Sequence, residues 1–324
     1  MELLKEKWKF GRRFVYSVTY DEGLEALLGD TLAIHQRFGI PGHVSMVSAQ
    51  VGKVRTVKGS TFEGMMHLSA KQIHELRALG WGVSCHGMNH HAITPESARE
   101  EVVEARKVLE DALGIPITMF IVPGNNNSYP ASRAVAEEAG YLSILTIWDA
   151  LNDHDTDLLR LHRTPLIEEG FDPFGSAYDP YCRLHEALER GGWICEYTHI
   201  ARTPVVSAQK EVRVETLIRR FEKVEQVGGD QVWKADPVDV VDYIIVHRAA
   251  SIEAIANDRF RLKVEGLPDG VQNRELTLRC EGMPPSAQIL ADGRPVEKVS
   301  VIGKDVLITL PARDGLEITV RERK

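Results

Sequence analysis

The chain has 324 residues, which is enough for one large domain with an appendage or for two medium domains. Hydrophobic residues make up 43% of it and charged residues 27%, as in ordinary globular proteins. The net charge of −8, without any basic patch, argues against a nucleic-acid backbone as a partner.

The cysteines and the N-terminus indicate a reducing compartment. The four cysteines, Cys85, Cys182, Cys195 and Cys280, form no CxxC pair, which predicts buried thiols rather than a disulfide framework. Residues 1–14 have neither a long apolar stretch nor a cleavage site, so we expect no signal peptide. No window approaches the roughly 18 consecutive apolar residues of a membrane span. We therefore expect a cytoplasmic protein without a membrane partner.

Strand-like and helix-like segments alternate over about the first two-thirds of the chain. The predicted strands are Phe14–Val18, His43–Val47, Gly82–Cys85, Ile117–Val122, Leu142–Ile147, Leu159–Pro165 and Trp193–Tyr197. The predicted helices are Leu24–Phe38, Lys71–Leu79 with Ser69 as its N-cap, Glu96–Leu113, Ala131–Ala139, Ala177–Arg190, Lys210–Val227 and Asp236–Ile255. Repeated βα units with short connections predict a mostly parallel sheet, either open or closed into a barrel.

After about Asn257 the pattern changes to short alternating segments separated by turn residues. They are Arg259–Val264, Glu275–Cys280, Ala287–Ala291, Lys298–Val301, Val306–Leu310 and Leu316–Arg321. This pattern predicts a small all-β module, with a β-sandwich as the expected form, and hence two domains, residues 1–256 and 257–324. Phe260 is the only aromatic residue of the module, which favours a structural or assembly role over glycan binding.

Two adjacent acids, Asp21 and Glu22 of the pentapeptide TYDEG, follow the first predicted strand. Taken alone, such a pair favours a helix N-cap, because acids there complement the helix dipole. However, His86 and His199 also lie just past strands, and chemistry in parallel α/β folds gathers at the C-terminal strand ends. One acid can bind a metal while the other accepts a proton from water.

Three histidines near predicted strand ends are candidates for the same site. His86 and His90, in CHGMNHH, are four residues apart and can converge on one ion, although two surface histidines on a turn are an equal alternative. His91 should point elsewhere and have a structural role. His199 ends the strand WICEYTH, and its ordinary pKa range suits proton delivery to a leaving amine. A hydrogen-bonded histidine without a catalytic role is the alternative for His199.

Together these motifs resemble the polysaccharide deacetylase family of the NodB-homology type, carbohydrate esterase family 4. The resemblance covers roughly Lys9–Ile255. TYDEG is similar to the family's T-F-D-D-G motif, and His86–His90 is similar to its H-[ST]-x-x-H motif. Ile194–His199 is similar to the family's closing strand that ends in histidine, and Val232–Ile244 to its Trp-containing tail.

The resemblance implies a distorted (β/α) barrel of about seven strands that binds a divalent metal ion. Zinc is the expected metal, and cobalt, nickel and manganese are alternatives that accept the same ligands. The resemblance further implies that Asp21 is the general base and that Glu22, His86 and His90 are the metal ligands. His199 would then protonate the departing amine.

The chain departs from the family pattern at three motifs. Glu22 stands where an aspartate is usual and is one methylene longer, so it would reach a metal from a different angle. Gly87 replaces the serine or threonine that steadies the histidine loop. The third motif, R-x-P-[YF], is represented by FIVPGN, which keeps Pro123 but has no arginine in place. We therefore expect Asp21 to lack the cation that orients it.

The remaining motif residues are candidates for substrate binding. The run Asn125–Asn127 could contact sugar hydroxyls or a ligand amide, with a plain turn as the alternative. The pair Trp148-Asp149 at a strand end is expected to support the region of His199. The predicted substrate-binding residues are Pro123, Asn125, Trp148 and Asp149.

Three functions are consistent with these motifs. The first is a metal-dependent hydrolase that removes an acyl group, expected to be acetyl, from an N-acylated amino sugar or polysaccharide. The second is a related amidohydrolase acting on a small non-sugar C–N bond of an amide, imide or ureide, which the missing arginine and signal peptide favour. The third is a degenerate barrel that binds carbohydrate without turnover. The expected partner is a carbohydrate or a small amide, and formation of a homo-oligomer is left open.

Overall fold

The computed structural model describes residues 2–56, 58–169, 179, 181–283, 288–296, 299–303 and 305–321. Its packing divides the chain into two compact units, one formed by Met1–Arg13 with Asp239–Lys324 and the other by Phe14–Val238. These bounds differ from the expected boundary at residues 256/257, because the N-terminal strand and most of the last long helix pack with the C-terminal strands. The assignment of two domains remains a prediction.

The helices and strands alternate through the first unit and are followed by strands. The strands are β1 (Glu2–Lys5), β2 (Phe14–Tyr20), β3 (Gly42–Met46), β4 (Gly82–Cys85), β5 (Met119–Ile121), β6 (Ser143–Ile147), β7 (Leu161–Pro165), β8 (Trp193–Thr198), β9 (Val232–Lys234), β10 (Ala250–Ala256), β11 (Arg259–Val264), β12 (Glu275–Glu281), β13 (Gln288–Ala291), β14 (Arg294–Pro295), β15 (Val299–Ile302), β16 (Asp305–Pro311) and β17 (Leu316–Arg321). The α-helices are α1 (Asp30–Phe38), α2 (Ala70–Ala78), α3 (Ala105–Leu113), α4 (Tyr129–Ala139), α5 (Leu184–Arg190), α6 (Val214–Gly228) and α7 (Pro237–Ala249).

The unit Phe14–Val238 contains a closed barrel of seven parallel strands, β2 to β8, with helices around it. Consecutive strands pair from β3 to β8, and β2 pairs with both β3 and β8, which closes the ring. Strand β9 adds to the outside of the ring beside β2. The predicted (β/α) barrel is therefore confirmed. Closure brings the C-terminal ends of all seven strands to one rim, where a site can form.

Successive side chains of the barrel strands point to opposite sides of the barrel wall. On β2, Phe14, Tyr16 and Val18 belong to the hydrophobic core beneath the helices, and Tyr16 packs edge-to-face on Phe221 of α6 at 6.1 Å between ring centroids. The alternate residues of β2 include Ser17, whose hydroxyl accepts a hydrogen bond from the Trp193 indole at 3.0 Å. Because successive side chains of a strand point to opposite sides, the row of alternate residues that contains Ser17 leads to Asp21 at the rim.

The unit of Met1–Arg13 and Asp239–Lys324 contains two antiparallel sheets, so the small all-β part of the prediction is confirmed as to class. One sheet has the order β1-β12-β16-β15 and the other the order β10-β11-β17-β13-β14. Strand β1 was not predicted, and it pairs with β12 in register Glu2 with Glu281. The predicted strand starts Ala287 and Lys298 lie outside the described residues.

The predicted helix Asp236–Ile255 is wrong only from Ala250 onward. Helix α7 ends at Ala249, and Ala250–Ala256 is strand β10, which pairs antiparallel with β11. The predicted helix was extended too far because the alanines and isoleucines of ASIEAIA are compatible with either a helix or a strand. Pairing with β11 through the short turn at residues 257–258 decides in favour of a strand.

Smaller differences concern helix starts. The predicted helix Leu24–Phe38 is a 3₁₀ turn, Glu25–Leu28, followed by α1, because Gly29 interrupts it. Helix α6 begins at Val214 rather than at the predicted Lys210. The predicted helix Ala177–Arg190 corresponds to α5, which begins at Leu184. Residues 177, 178 and 180 of that predicted helix lie outside the described residues. The predicted N-cap Ser69 is confirmed, and it forms a reciprocal capping box with Gln72.

The expectations about thiols and membrane spans can also be compared with the structure. All four cysteines are free: Cys85, Cys195 and Cys280 are buried, and Cys182 is partly exposed. Among the described residues, no helix is both long enough and apolar enough to cross a membrane.

Candidate active site

The predicted catalytic residues lie at the C-terminal rim of the barrel. Asp21 and Glu22 directly follow β2, His86 directly follows β4, and His199 directly follows β8. Main-chain hydrogen bonds hold these positions, since the Asp21 N–H donates to Thr198 at 2.9 Å and the His86 N–H donates to Met46 at 2.8 Å. The side chains of Asp21, Glu22 and His86 are buried.

Asp21 is paired with Arg163, a residue that the sequence motifs did not indicate. Nη1 of Arg163 donates to Oδ1 of Asp21 at 2.7 Å and to the hydroxyl of Thr19 at 3.0 Å. The guanidinium is fully buried, 4.8 Å from the centroid of the Tyr197 ring. The expectation that Asp21 lacks a cationic partner is therefore wrong. The cation comes from the middle of β7 instead of the third motif.

The Asp21 carboxyl is held in its charged form. Burial alone raises its pKa, but the charges of Arg163, His86 and His199 outweigh burial and lower the pKa to about 2. Asp21 is thus an anion throughout the neutral range. It can accept hydrogen bonds from water without first losing a proton.

His86 and His199 share one tautomer because of the carbonyls they contact. Nδ1 of His86 lies 2.9 Å from the Ile121 carbonyl, and Nδ1 of His199 lies 2.9 Å from the Lys210 carbonyl. A carbonyl can only accept, so Nδ1 carries the hydrogen in both rings and Nε2 carries the lone pair. Burial lowers the pKa of His86 to about 4 and also lowers the pKa of His199. Both imidazoles are neutral near pH 7.

Glu22 is presented by a left-handed turn. Its φ is 74° and that of Gly23 is 67°, conformations that favour glycine. A Cβ on Gly23 would lie 2.1 Å from Sδ of Met46, so the second position excludes any side chain. His67 supports the turn by donating from Nδ1 to the Glu22 carbonyl at 2.9 Å.

The Glu22 carboxylate is bonded to a second buried arginine. Oε2 accepts a hydrogen bond from Nη1 of Arg55, and Oε1 lies 3.5 Å from Nε2 of His90. Burial raises the pKa of Glu22, but the neighbouring His90 and Arg55 charges outweigh it, so that its pKa is lowered. Sequence reasoning missed Arg55, which belongs to no motif.

Arg55 lies on a segment that covers the rim, here called the covering segment (residues 51–68, with residue 57 outside the described part). Its main chain pairs with the TYDEG turn, since Leu68 N–H donates to Gly23 at 2.9 Å and Glu25 N–H donates to Met66 at 2.8 Å. Phe62 is buried, with its ring 5.3 Å from the His199 ring. The covering segment therefore packs directly over the predicted catalytic residues.

The histidine loop is steadied by Glu101, although Gly87 lacks the hydroxyl usual in the family motif. Oε2 of Glu101 accepts from the N–H groups of Met88 at 2.9 Å and Asn89 at 3.2 Å. A Cβ on Gly87, whose φ is 86°, would lie 2.7 Å from that same oxygen. Glycine at 87 is therefore the residue that lets a buried glutamate replace the hydroxyl.

The two outer histidines of this loop differ. His90 lies beside His86, with ring centroids 4.8 Å apart, and has a φ of 62°. The side chain of His91 is mostly exposed, and its Nδ1 lies 3.7 Å from Oε1 of Glu101. This placement agrees with the expectation that His91 points away from the site.

The asparagine run behaves as a turn. Oδ1 of Asn125 accepts from the Asn127 N–H at 2.9 Å, while Asn126 exchanges hydrogen bonds with the main chain of Ile147. Asn125 itself is exposed and Pro123 is buried. The alternative of a plain turn is thus realised, and substrate binding by Pro123 and Asn125 remains a prediction.

Trp148 and Asp149 contact different parts of the protein. Asp149 accepts from Nε of Arg183 at 2.6 Å and from the hydroxyl of Thr164 at 3.2 Å. Trp148 is half exposed and lines a cavity of about 460 Å³ together with residues that include Tyr129, Arg160 and His162. The expected support of the His199 region by this pair remains a prediction, as does substrate binding.

Residues 10–144 match the sequence model of the family described as polysaccharide deacetylase. This segment is therefore similar to the polysaccharide deacetylase family. The matched region is less than half of the chain. It includes Asp21, Glu22 and the His86–His90 loop, whereas Arg163 and His199 lie beyond it.

The solved structures that are similar to this chain include the following three. A Mycobacterium smegmatis protein assigned to the polysaccharide deacetylases is 16% identical, covering 76% of this chain and 94% of that one, with a TM-score of 0.49. IcaB of Ammonifex degensii is 22% identical, covering 40% and 58%, with a TM-score of 0.34. The Streptococcus pyogenes deacetylase PplD, solved with acetate, is 18% identical, covering 45% and 62%, with a TM-score of 0.37. No curated protein matches the chain.

Members of the polysaccharide deacetylase family generally use a divalent metal ion. Here the predicted ligands Glu22, His86 and His90 do not fit one as arranged, because Arg55 is bonded to the carboxylate that would bind the ion. Among the described residues, no group of three or more His, Cys, Asp or Glu side chains is arranged to hold a metal. The predicted ligand set remains a prediction that would require Arg55 to leave Glu22.

Proposed function

We propose that the barrel hydrolyses an amide bond and removes an acetyl group from an N-acetylated amino sugar of a polysaccharide. The observation that carries the proposal is the buried Asp21–Arg163 pair, set at the same rim as His86 and His199. The match of residues 10–144 to the polysaccharide deacetylase family supports the type of bond and substrate.

The proposed reaction uses water as the nucleophile. Asp21 is an anion and accepts a hydrogen bond from the water, which directs the oxygen lone pair at the acyl carbon. As the C–O bond forms, the water proton passes to Asp21. Because the pKa of Asp21 is about 2, this carboxyl holds the proton only briefly and passes it on.

His199 then completes the proton transfer in the proposal. Its neutral ring has the Nε2 lone pair available, since Nδ1 is bonded to the Lys210 carbonyl. Nε2 receives the proton that left the water and delivers it to the departing nitrogen when the C–N bond breaks. The products are a free amine and acetic acid, which loses its remaining proton to solvent and becomes acetate, and His199 is neutral again.

The predicted metal ion is not required by any of these steps. Zinc bound by Glu22, His86 and His90, or cobalt, nickel or manganese in its place, remains a prediction within the proposed function. When bound, such an ion would polarise the acyl carbonyl and the attacking water.

A second candidate function is hydrolysis of a small non-sugar amide, imide or ureide. The covering segment favours it, because Arg55 and Phe62 are buried over the rim and leave less room for a polymer. The Trp148 cavity supports the polysaccharide alternative, because an exposed aromatic ring suits stacking on a sugar.

Release of amine can be measured from N-acetylglucosamine oligomers and, separately, from a panel of small cyclic imides and ureides. We expect turnover of the oligomers, with loss of activity in D21N, which keeps the shape but not the charge of Asp21. Turnover of the small panel alone would replace the first candidate by the second. No turnover of either would refute the proposed function and leave the binding-only alternative. Unchanged activity in D21N would refute the role of Asp21 in the proposed reaction.

A further inference from the structure

We propose that Arg55 occupies the cation position of this site, so that its guanidinium and a divalent metal ion compete for Glu22. The inference goes beyond the proposed function because it concerns which cation the site holds, and it stands whichever amide is cleaved. The inference predicts that, in the absence of substrate, Arg55 excludes a divalent metal ion from this site.

The first support is the geometry at Glu22. Nη1 of Arg55 donates to Oε2, and both side chains are buried. Oε1 lies 3.5 Å from Nε2 of His90, so neither oxygen faces open solvent. Glu22 is one methylene longer than the aspartate of the family motif, and that extra length lets its carboxylate meet an arginine on the covering segment.

The second support is the anchoring of Arg55. Its N–H donates to the Met65 carbonyl at 2.8 Å, and its carbonyl accepts from the Gly64 N–H at 2.9 Å. Its Nε donates to the hydroxyl of Ser60 at 3.0 Å. Hydrogen bonds therefore hold both the main chain of Arg55 and its guanidinium. The planar guanidinium suits a carboxylate better than the flexible ammonium of a lysine would.

The third support is the charge balance of the rim. Asp21 is compensated by Arg163, and Glu22 is compensated by Arg55. A divalent ion placed between Glu22, His86 and His90 would enter a site whose two carboxylates are already neutralised. It would also lie beside a buried guanidinium, where like charges repel strongly because the dielectric screening is weak.

The test is a metal titration of the full chain and two variants. In R55M the arginine is replaced by a neutral side chain of similar length, and in R55K the positive charge is kept. Each protein is dialysed against chelator and titrated with Co²⁺, followed by calorimetry and by the visible absorption of the bound ion. Neither measurement depends on activity, so failure of the proposed function would leave the result intact.

We expect R55M to bind one equivalent of Co²⁺ at least tenfold more tightly than the wild-type chain, with R55K resembling the wild type. Adding E22Q to R55M should abolish the gained site, which would place the ion at Glu22. A wild-type chain that retains one equivalent of ion, or that binds Co²⁺ as tightly as R55M, would overturn the proposal. A folded R55M that gains no binding would overturn it as well.

If R55M does not fold, measurements on the wild-type chain decide between the outcomes. In that event the metal content of the purified wild-type chain and its Co²⁺ titration decide alone. A stoichiometric ion refutes the proposal, and weak or undetectable binding supports it.

Discussion

Arg163 donates from Nη1 to Oδ1 of Asp21 at 2.7 Å across 142 residues of sequence. The two side chains meet inside a closed ring, because Asp21 follows β2 and Arg163 lies on β7, with β8 between them. The pair does for the predicted base what the missing motif arginine would have done. It also makes the barrel's stability depend on two residues of the site.

Replacement of Arg163 by methionine should destabilise the fold strongly. The variant R163M leaves Asp21 as a buried carboxylate without its cation, and breaking such a pair costs about 3–5 kcal/mol of unfolding free energy. The double variant D21N/R163M should recover part of this loss, since it removes the unpaired charge. Urea denaturation monitored by circular dichroism measures both. The matched control is R133M, which removes a partly exposed arginine paired with Glu137 and should change stability by less than about 0.5 kcal/mol. Equal stability of R163M and wild type would contradict the structural role of the pair.

Replacement of His199 by glutamine should lower kcat by about 10²- to 10⁴-fold, because glutamine cannot carry a proton to the leaving amine. KM should change little, since the ring's assigned role is proton transfer. Steady-state kinetics on the substrate that the enzyme proves to cleave gives both values. H91Q is the control, as the side chain of His91 is mostly exposed and points away from the site. A kcat in H199Q within twofold of wild type would remove His199 from the proposed mechanism.

Glu101 should determine the order of the histidine loop. In E101A the partly buried N–H groups of Met88 and Asn89 lose their acceptor, which costs at most the roughly 1–3 kcal/mol of a fully buried unsatisfied group. Faster amide hydrogen exchange at residues 88 and 89 would report the loosened loop directly. E101Q keeps one acceptor oxygen and should show a smaller effect. The neighbouring variant E100A changes an exposed side chain and serves as the control. Unaltered exchange in E101A would show that the loop is held by other contacts.

His35 should make the barrel less stable as the pH falls from about 6.5 to 4. Its Nδ1 donates to the Ile40 carbonyl at 2.7 Å and its Nε2 accepts from the Tyr20 hydroxyl at 2.6 Å, so the buried ring is neutral. Burial lowers its pKa to about 4. The unfolded chain therefore binds the proton first, and the contribution of His35 is fully present above its unfolded pKa and declines as the pH falls toward the folded one. The loss is on the order of 3 kcal/mol at pH 4.

Denaturation of wild type and H35Q at several pH values isolates this contribution. Burial also lowers the pKa of His86 to about 4, so the difference between the two proteins is the relevant quantity. The pH dependence should be shallower in H35Q, whereas H74Q, which alters an exposed histidine, should follow the wild type. Parallel curves for H35Q and wild type would contradict the lowered pKa.

The sequence by itself determined the barrel class and the position of the candidate site on it. Alternating apolar strands and amphipathic helices are local patterns, and so are the TYDEG and HGMNH motifs, whose residues are contiguous. Because parallel strands end at one rim, the positions of Asp21, His86 and His199 after three predicted strands were sufficient to place them together. The local patterns were insufficient where a segment suits two structures, as at Ala250–Ala256, which pairs into a sheet instead of extending α7.

Only the tertiary structure decided which charges surround those residues. Arg163, Arg55 and Glu101 lie in no motif, and each reaches its partner across a closed ring, a covering segment or a packed helix. A buried carboxylate must be compensated, but the sequence does not say by which of the chain's many cations. The choice depends on side chains that converge in space after the ring has closed. That choice decides whether Glu22 is available to a metal ion or already committed to Arg55.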